Sequence, residues 1–481
     1  EINTHRKNAL DKTLNVRVTP ERIFLKNIPA NKNINIKKES GRTIKIENFS
    51  DDKCINFCLN LKNIWEAIEG KLIEKQKKLY SKIELPLSVV LANMEKTGIL
   101  VDKRILNNLE TTFKEDLKEL SQEIYRIAGT EFNIDSPKQL QVILYEKLKI
   151  KPGKKTKTGF STDQDELIRI SNLHPIGSKL LRYRIIAKLL NTYVESFGKY
   201  IRDDNRVHTT FIQGGTITGR LSTQEPNLQN IPARTEEGKK IRAMFIASEG
   251  YKLLSLDYSQ IELRVLAHLS GEEKLIDAFK QNRDIHTQTA CTLFGKKEEE
   301  ITENMRRFAK TINFGIIYGL GAHALSEQLG ISHSEAREFI ESFFKNYPKI
   351  KQYIDNQIAI ARNKLFVENI FGRIRYIREI RSENFHEKSA AERIAINTPI
   401  QGTAADITKL GMINLYTYFR KNNIDASLLL QIHDEILIEY NHNYREDFIE
   451  KCKSLMSNIE GLNFQVPLLV KSSTGTSWGE L

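Results

Sequence analysis

Cysteine is almost missing from this sequence. Its four copies stand at positions 54, 58, 291 and 452, and no second cysteine or histidine pair joins Cys54 and Cys58 to complete a zinc pattern. Scattered thiols in a chain of 481 residues fit a reducing compartment rather than a disulfide framework. Long apolar runs are missing too: nothing approaches the ~20 residues of a membrane helix. The opening Glu1-Ile2-Asn3-Thr4-His5-Arg6 is no signal peptide, and it starts without Met, as a processed or cloned fragment does. Internal repeats and low-complexity tracts are absent. What is in excess is positive charge. The formal net charge is +12 and the isoelectric point about 9.2. That balance favours a polyanionic partner, most often nucleic acid, although on charge alone a merely soluble basic surface explains it as well. Length suggests about three domains.

Residues 1–50 mix short β-prone runs with Asn and Lys and show no complete domain. A helical, basic pattern runs from Leu59 to Leu79, and another from Glu84 to Glu95 that stops at Thr97-Gly98. Residues 102–128 predict a long amphipathic helix, with Leu106, Leu109, Phe113, Leu117, Leu120, Ile124 and Ile127 recurring at three and four. A loop from Lys147 to Gly159 follows. It carries Lys147, Lys149, Lys151, Lys154, Lys155 and Lys157 and no acid. Such runs are usually solvated charge, but glycine and threonine between two helical arms favour a loop tip that grips phosphates. Residues 207–256 read as β-rich and loop-rich, and 272–365 as almost wholly helical. After Ala390 a helix runs into Leu410–Phe419, and two strands flank His433-Asp434-Glu435.

Two acidic strings therefore stand on strands either side of a helical insertion. The first is Asp257-Tyr258-Ser259-Gln260-Ile261-Glu262; the second is His433-Asp434-Glu435. One sheet assembled from both sides of the insertion would bring Asp257 and Asp434 together. Phosphoryl transfer to a sugar hydroxyl needs charge neutralised on the attacking and leaving oxygens, which two magnesium ions do. Magnesium takes a few carboxylates plus water and phosphate oxygens. Asp257 and Asp434 are the candidate ligands, the carbonyl of Tyr258 a further oxygen, and Glu435 a carboxylate standing behind them. An Asp at a strand end alone more often just begins a turn.

Between these strings, Arg306 to Gly319 predicts a helix on which Arg306, Lys310, Phe314 and Tyr318 follow one another at four. The cations suit phosphates, Arg306 in bidentate fashion, and the rings suit a base or ribose. Most aromatic stripes instead face a core. Gly315 and Gly319 weaken a helix by roughly 1 kcal/mol each, which favours a moving, ligand-facing helix over a purely structural one. Arg220, with Asn227 and Asn230 in the loop that follows, can reach minor-groove acceptors shared by all base pairs, as can Gln401 and His433. For each alone an ordinary polar contact is the commoner role.

At these residues the chain resembles family-A DNA polymerases of the bacterial DNA polymerase I large-fragment type. Asp257–Ser270 is similar to the family's motif A, Arg306–Gly319 to motif B, and His433-Asp434-Glu435 to motif C. Further similarities at Leu79–Asp102, 154–162, Thr218–Pro232, Asp284–Thr287 and Gln401–Asp406 follow in family order. The resemblance implies an α+β right hand: an antiparallel-sheet palm in two parts (203–270 and 389–481), helical fingers (271–388) and a helical thumb with connecting helices (76–202). It makes Asp257 and Asp434 the metal-binding pair with Glu435 accessory. It puts Arg306, Lys310 and His286 on the triphosphate, Lys310 also as general acid toward pyrophosphate. Phe314 and Tyr318 would frame the nascent pair, Gln260 would contact the incoming nucleotide, and Glu262 would block a ribose 2′-hydroxyl. Arg220, Asn227, Asn230, Gln401 and His433 would hold the primer end and minor groove, with Lys154, Lys155 and Lys157 gripping the duplex.

The implied activity is template-directed addition of dNTPs to a primer 3′ end. The implied cofactor is two Mg²⁺ ions, with Mn²⁺ able to substitute, and the implied partners are primer–template DNA and dNTPs, with no membrane. The expected state is a monomer in the bacterial cytoplasm, at the nucleoid; an organellar or phage origin is the alternative. The front departs from the family. No Asp-x-Glu pair of a proofreading nuclease occurs in residues 1–75, which read as a truncated remnant around Ser50-Asp51-Asp52 and Leu59–Trp65. A single-subunit RNA polymerase and a catalytically dead DNA-binding relative are the competing readings. Glu262 speaks against the first, and the presence of both Asp257 and Asp434 against the second.

Overall fold

In the computed structural model of the protein, the apolar runs beside the two acidic strings lie side by side in one sheet. Four strands build it: β1 (Tyr251–Tyr258), β2 (Ala426–Ile432), β3 (Glu435–Asn441) and β4 (Val470–Gly475), in the order β2-β3-β1-β4. All neighbours are antiparallel, and the register sets Leu254 opposite Ile438 and Leu256 opposite Ile436. Leu253 to Leu256 are buried without a break, as are Ile436 to Tyr440. Both faces are therefore covered, which is why these strands read as continuous apolar runs rather than as alternation.

The structure describes residue 66 and residues 68–481 other than 154, 157, 158 and 234, together with the backbone of three short strands near the front. Those strands, Thr13–Arg17, Ile36–Glu39 and Thr43–Glu47, form a separate antiparallel sheet with Thr43–Glu47 in the middle. The remnant read around Ser50-Asp51-Asp52 and Leu59–Trp65 lies outside the described residues.

Helix α1 (Leu85–Thr97) stops at Gly98, whose φ of 64° suits glycine. Helix α2 (Lys103–Ala128) starts at Asp102, whose carboxylate accepts from the Arg104 amide at 2.8 Å, a cap worth about 1 kcal/mol. It buries Leu106, Leu109, Phe113 and Ile124, the stripe expected from the spacing. Burial of each contributes roughly 1.5–3 kcal/mol. The far end of α2 joins α3 (Pro175–Leu189) and the segments between them in a second core of Ile124, Leu140, Leu144, Leu167, Ile170 and Leu180. That core carries the lysine loop. There Lys155–Thr156 pairs with Gly159–Phe160 as a small hairpin, and Glu166 anchors its approach by accepting from the Gly153 amide at 3.0 Å.

Between β1 and β2 the chain is mainly helical, as expected for 272–365, with one hairpin of Phe366–Glu368 and Ile374–Tyr376 after it. It includes α4 (Ile261–Ser270), α5 (Ile285–Phe294), α6 (Glu303–Ile317), α7 (His333–Asn346), α8 (Pro348–Lys364) and α9 (Phe385–Lys421). Helix α9 begins earlier than the spacing after Ala390 suggests, because the Asn384 side chain accepts from the amides of His386 and Glu387. It passes through Pro399, which forfeits one backbone hydrogen bond. Its unbroken burial from Gly402 through Lys409 offsets that cost. The stretch read as β-rich before β1 also holds a helix, Glu236–Ala243. Too few of its residues are apolar for any period to stand out, and its start is set by Thr235, which accepts from the Gly238 amide. Among the described residues no helix is long and apolar enough to cross a membrane.

Candidate active site

The end of β1 carries the first acidic string. Asp257 stands opposite Glu435 of β3 and Lys471 of β4. The chain then turns sharply: the Ser259 amide donates to the Leu469 carbonyl at 2.8 Å, and Gln260 takes the left-handed conformation, φ 54° and ψ 39°, before α4 starts. Arg264 clamps this turn. Its Nε donates to the Ser259 carbonyl at 2.8 Å and its Nη1 to the Pro467 carbonyl at 2.6 Å. The Tyr258 ring points into the core, where its hydroxyl donates to the Met456 carbonyl, so only its main chain is free to face a ligand.

The second string sits on the hairpin between β2 and β3. Ile432 pairs with Glu435, leaving His433 and Asp434 as a two-residue turn, and His433 has the positive φ (54°) that such a turn demands. The turn reaches the end of β1, where the Tyr258 amide donates to the Asp434 carbonyl at 3.2 Å. A wrong register by one residue would send either carboxylate to the opposite face. Glu435 is turned away: its Oε1 accepts from the Ser255 hydroxyl at 2.6 Å. Burial pushes Asp434 up to about 6, aided by the charges of Glu262 and Asp257 and opposed by Arg220. Partial desolvation likewise pushes Asp257 up to about 6, with Glu435 adding and Lys471 opposing. Two neighbouring carboxylates that repel one another are a seat for a cation. Among the described residues no three His, Cys, Asp or Glu side chains converge into a cage. Two carboxylates and a strand carbonyl instead match what magnesium takes.

Helix α6 packs against α5 and reaches α4 at its far end. Arg306 Nε donates to Asp284 Oδ2 at 2.5 Å, and Asp284 also caps α5 by accepting from the His286 amide at 2.9 Å. Lys310 is exposed and has no ion pair among the described residues. The Phe314 ring lies 5.7 Å from the His286 ring, tilted by 42°. His286 is buried, and burial pushes its imidazole down to about 4, with Asp284 opposing and the Arg306 and Lys310 charges adding. The ring is therefore neutral near pH 7.

The helix does not run to Gly319. It ends at Ile317, and Tyr318 falls on the cap, where its hydroxyl donates to Glu262 Oε2 at 2.5 Å. Two expectations about this segment need correction. Gly319 is a stop signal, with φ 66°, and a side chain there would strike Arg393. Gly315 sits against Leu320, 3.0 Å from where a Cβ would stand. Both glycines thus have structural reasons, and neither argues for a moving helix.

Arg220 completes the ring of contacts. It donates to Glu262 Oε1 at 2.5 Å and stands 3.9 Å from Asp434 Oδ1. Glu262 is a buried acid shared by Arg220 and Tyr318. Continuous contacts thus join Asp257, Tyr258, Gln260, Glu262, His286, Arg306, Phe314, Tyr318, Asp434 and Arg220, with His433 and Glu435 at the turn. Gln401 lies on α9, next to Gly402, which faces the Thr218 carbonyl. Asn227 and Asn230 are exposed in the loop: Asn227 spends its side-chain oxygen on the Gln229 amide, and the Asn230 carbonyl accepts from the Tyr193 hydroxyl. Lys155 is exposed in the hairpin, away from this ring of contacts, and Lys154 and Lys157 lie outside the described residues.

Sequence reasoning gave no role to Asp284, Arg264 or Asn313, although all three lie in stretches it marked. Asp284 had a signal, since an Asp just before a helical run is a cap pattern. Asn313 adjoins the marked Phe314 but is buried against α5, donating toward His286. Also unmarked was a buried cluster beside Arg220. In it Arg373 and Lys409 meet Glu84 and Asp406, whose charges come from distant parts of the chain.

Comparison with known proteins identifies the family and the fold. The family model described as DNA polymerase family A matches residues 103–480. DNA polymerase I of Lactococcus lactis subsp. cremoris is 49% identical over 417 residues, 86% of this chain and 47% of that protein. DNA polymerase I of Caldicellulosiruptor bescii is 46% identical over 437 residues, 90% of this chain and 51% of that one. The chain thus spans about half the length of the curated relatives it matches. A solved structure, the POL domain of Pol1 from M. smegmatis in complex with DNA primer-template and dNTP, superposes with a TM-score of 0.82 at 38% identity. It covers 88% of this chain and 75% of that one. The α+β right-hand architecture is shared with that domain, and the chain belongs to DNA polymerase family A.

Proposed function

We propose that this chain is a template-directed DNA polymerase that adds dNTPs to a primer 3′ end by two-metal-ion nucleotidyl transfer. The observation that carries the reading is the meeting of Asp257 and Asp434 at one end of the β1–β3 pair, linked through Arg220 and Glu262 to Tyr318 at the end of the cationic helix α6. In this reading 76–202 is the thumb, 203–270 and 389–481 the palm, and 271–388 the fingers. Residues 1–75, most of them outside the described set, are a remnant that contributes no proofreading.

Asp257, Asp434 and the Tyr258 carbonyl hold the Mg²⁺ ions, for which Mn²⁺ can substitute. Bound there, magnesium supplies positive charge to the attacking and leaving oxygens. Arg306, Lys310 and His286 bind the triphosphate. Arg306 must trade Asp284 for phosphate, whereas Lys310 is already free to give a proton to the departing pyrophosphate. Phe314 and Tyr318 frame the base pair, and Gln260 contacts the incoming nucleotide. Glu262 stands under the sugar and rejects a 2′-hydroxyl. Arg220, Gln401, His433, Asn227 and Asn230 follow the primer end and minor groove. Lys154, Lys155 and Lys157 grip duplex phosphates. The protein acts as a monomer on primer–template DNA in the bacterial cytoplasm.

The deciding experiment is primer extension with Mg²⁺ and either dNTPs or NTPs, with Asp257→Ala as the control. Template-dependent extension with dNTPs, lost in the variant, is expected. Extension with NTPs alone would favour a single-subunit RNA polymerase, and none with either would mark a catalytically dead relative.

A further inference from the structure

Behind His286 runs a row of buried polar groups that the site described so far does not use. The Tyr347 hydroxyl lies 3.4 Å from Thr289 Oγ1, Thr289 Oγ1 donates to Asn313 Oδ1 at 3.1 Å, and Asn313 Nδ2 stands 3.1 Å from His286 Nδ1. All four side chains are buried. His286 and Thr289 belong to α5, one turn apart, Asn313 to α6, and Tyr347 to the junction of α7 and α8. A buried polar group left without a partner is costly. This row satisfies its members in one direction: Tyr347 O–H to Thr289, Thr289 O–H to the Asn313 oxygen, Asn313 N–H to the imidazole.

A neutral imidazole has one N–H and one lone pair. Two amide nitrogens face this ring, for Gln260 Nε2 also stands 3.4 Å from His286 Nε2. The ring cannot accept at both. The Asn313 amide is buried and held at its oxygen by Thr289. The Gln260 amide is half-buried, with a single and longer contact, so it is the one that turns its oxygen to the ring. The lone pair then belongs to Nδ1 and the hydrogen to Nε2.

We propose that Asn313, locked by Thr289, is a positioning residue that fixes His286 in its Nε2–H tautomer, so that the neutral ring offers the incoming triphosphate a hydrogen-bond donor. This rests on the reading of His286 as a triphosphate contact. The opposite tautomer would aim a lone pair at anionic oxygens. Charge does not supply the donor, because burial keeps the ring neutral; the acid and bases facing it are Asp284, Arg306 and Lys310. A phosphate oxygen then takes the place of the Gln260 oxygen.

The test starts on the protein without DNA or nucleotide. Long-range ¹⁵N–¹H correlation of ¹⁵N-histidine-labelled protein distinguishes the two ring nitrogens, and the His286 signals are assigned by their loss in His286→Gln. A pyridine-type Nδ1 with a protonated Nε2 is expected; a protonated Nδ1 overturns the proposal whatever the protein's activity. In Asn313→Asp the carboxylate accepts from Nδ1, so the signature moves to a protonated Nδ1. The apparent KM for dNTP should then rise about ten-fold or more, the scale of one hydrogen bond to a charged group, with primer–template affinity unchanged. Thr289→Val should mix the tautomers, and Thr289→Ser should restore the wild-type pattern. That pair keeps the test decisive if Asn313→Asp fails to fold. A Nε2–H ring whose variants leave dNTP KM untouched would remove the positioning role, while loss of polymerase activity in the wild type would remove only the functional reading beneath it.

Discussion

The guanidinium of Arg220 and the hydroxyl of Tyr318 bind opposite oxygens of Glu262, each at 2.5 Å. One buried carboxylate therefore ties the loop at Arg220 to the end of α6. Removing it should do two things. Glu262→Ala opens space and removes a steric cost placed on the wrong sugar. In competition assays its preference for dNTP over NTP should fall by about ten-fold or more, the scale of one discriminating interaction. Phe314→Tyr adds a hydroxyl where a missing 3′-hydroxyl leaves a gap, so its use of dideoxynucleotides should rise. Unchanged ratios in both would mean that the sugar pocket lies elsewhere.

Asp257→Ala and Asp434→Ala should each abolish extension while leaving primer–template binding largely intact. Binding draws on many phosphate contacts, and neither carboxylate contributes one. Gel-shift affinity and single-turnover extension on the same folded preparation separate the two effects. Near-normal extension by either variant would contradict the assignment.

Neutralising Lys154, Lys155 and Lys157 together should weaken duplex binding and flatten its dependence on salt. For every phosphate no longer neutralised, the slope of log affinity against log salt should become shallower by about 0.9. A salt titration in which affinity and slope both stay put would reduce the hairpin to solvated charge.

The cluster beneath Arg220 should set the acid limit of stability. Burial would raise the Glu84 carboxyl, but Lys409 and Arg373 outweigh it and hold Glu84 below the usual carboxylate range. The folded state therefore binds fewer protons than the unfolded chain. The stability this confers is present above the unfolded value, about 4.3, and is lost as pH falls through the lower folded value. Glu84→Gln should cost roughly 3 kcal/mol near neutral pH, at the low end for breaking a buried pair. The gap from wild type should narrow as pH falls below about 4. Urea melts at stepped pH would show it; a gap that stays constant would mean that Glu84 is not the titrating group.

Much of this molecule could be read along the chain because its signals are local. The helix from Asp102 to Ala128 is written in one cap, one stripe and one glycine. The strands around Asp257 and Asp434 are written as apolar runs, because both faces of their sheet are covered. The polymerase motifs were legible for the same reason: each packs its reactive side chains into a short stretch. Partnership was not legible. Nothing near Glu262 announces that Arg220 and Tyr318 will share it. Nothing near Asn313 says that it will face His286, and Arg373 meets Glu84 and Asp406 only because three distant segments converge. A periodic pattern reports which face of an element is buried. It is silent on what the buried polar groups meet there, since an unpaired polar group is too costly to bury and its partner comes from whichever element packs against it. The sequence by itself determined the strands, the long helices and which residues are candidates for magnesium and triphosphate. Only the tertiary structure decided the β1–β3 register that sets Asp257 beside Asp434, the end of α6 at Ile317, and the partners of each buried charge.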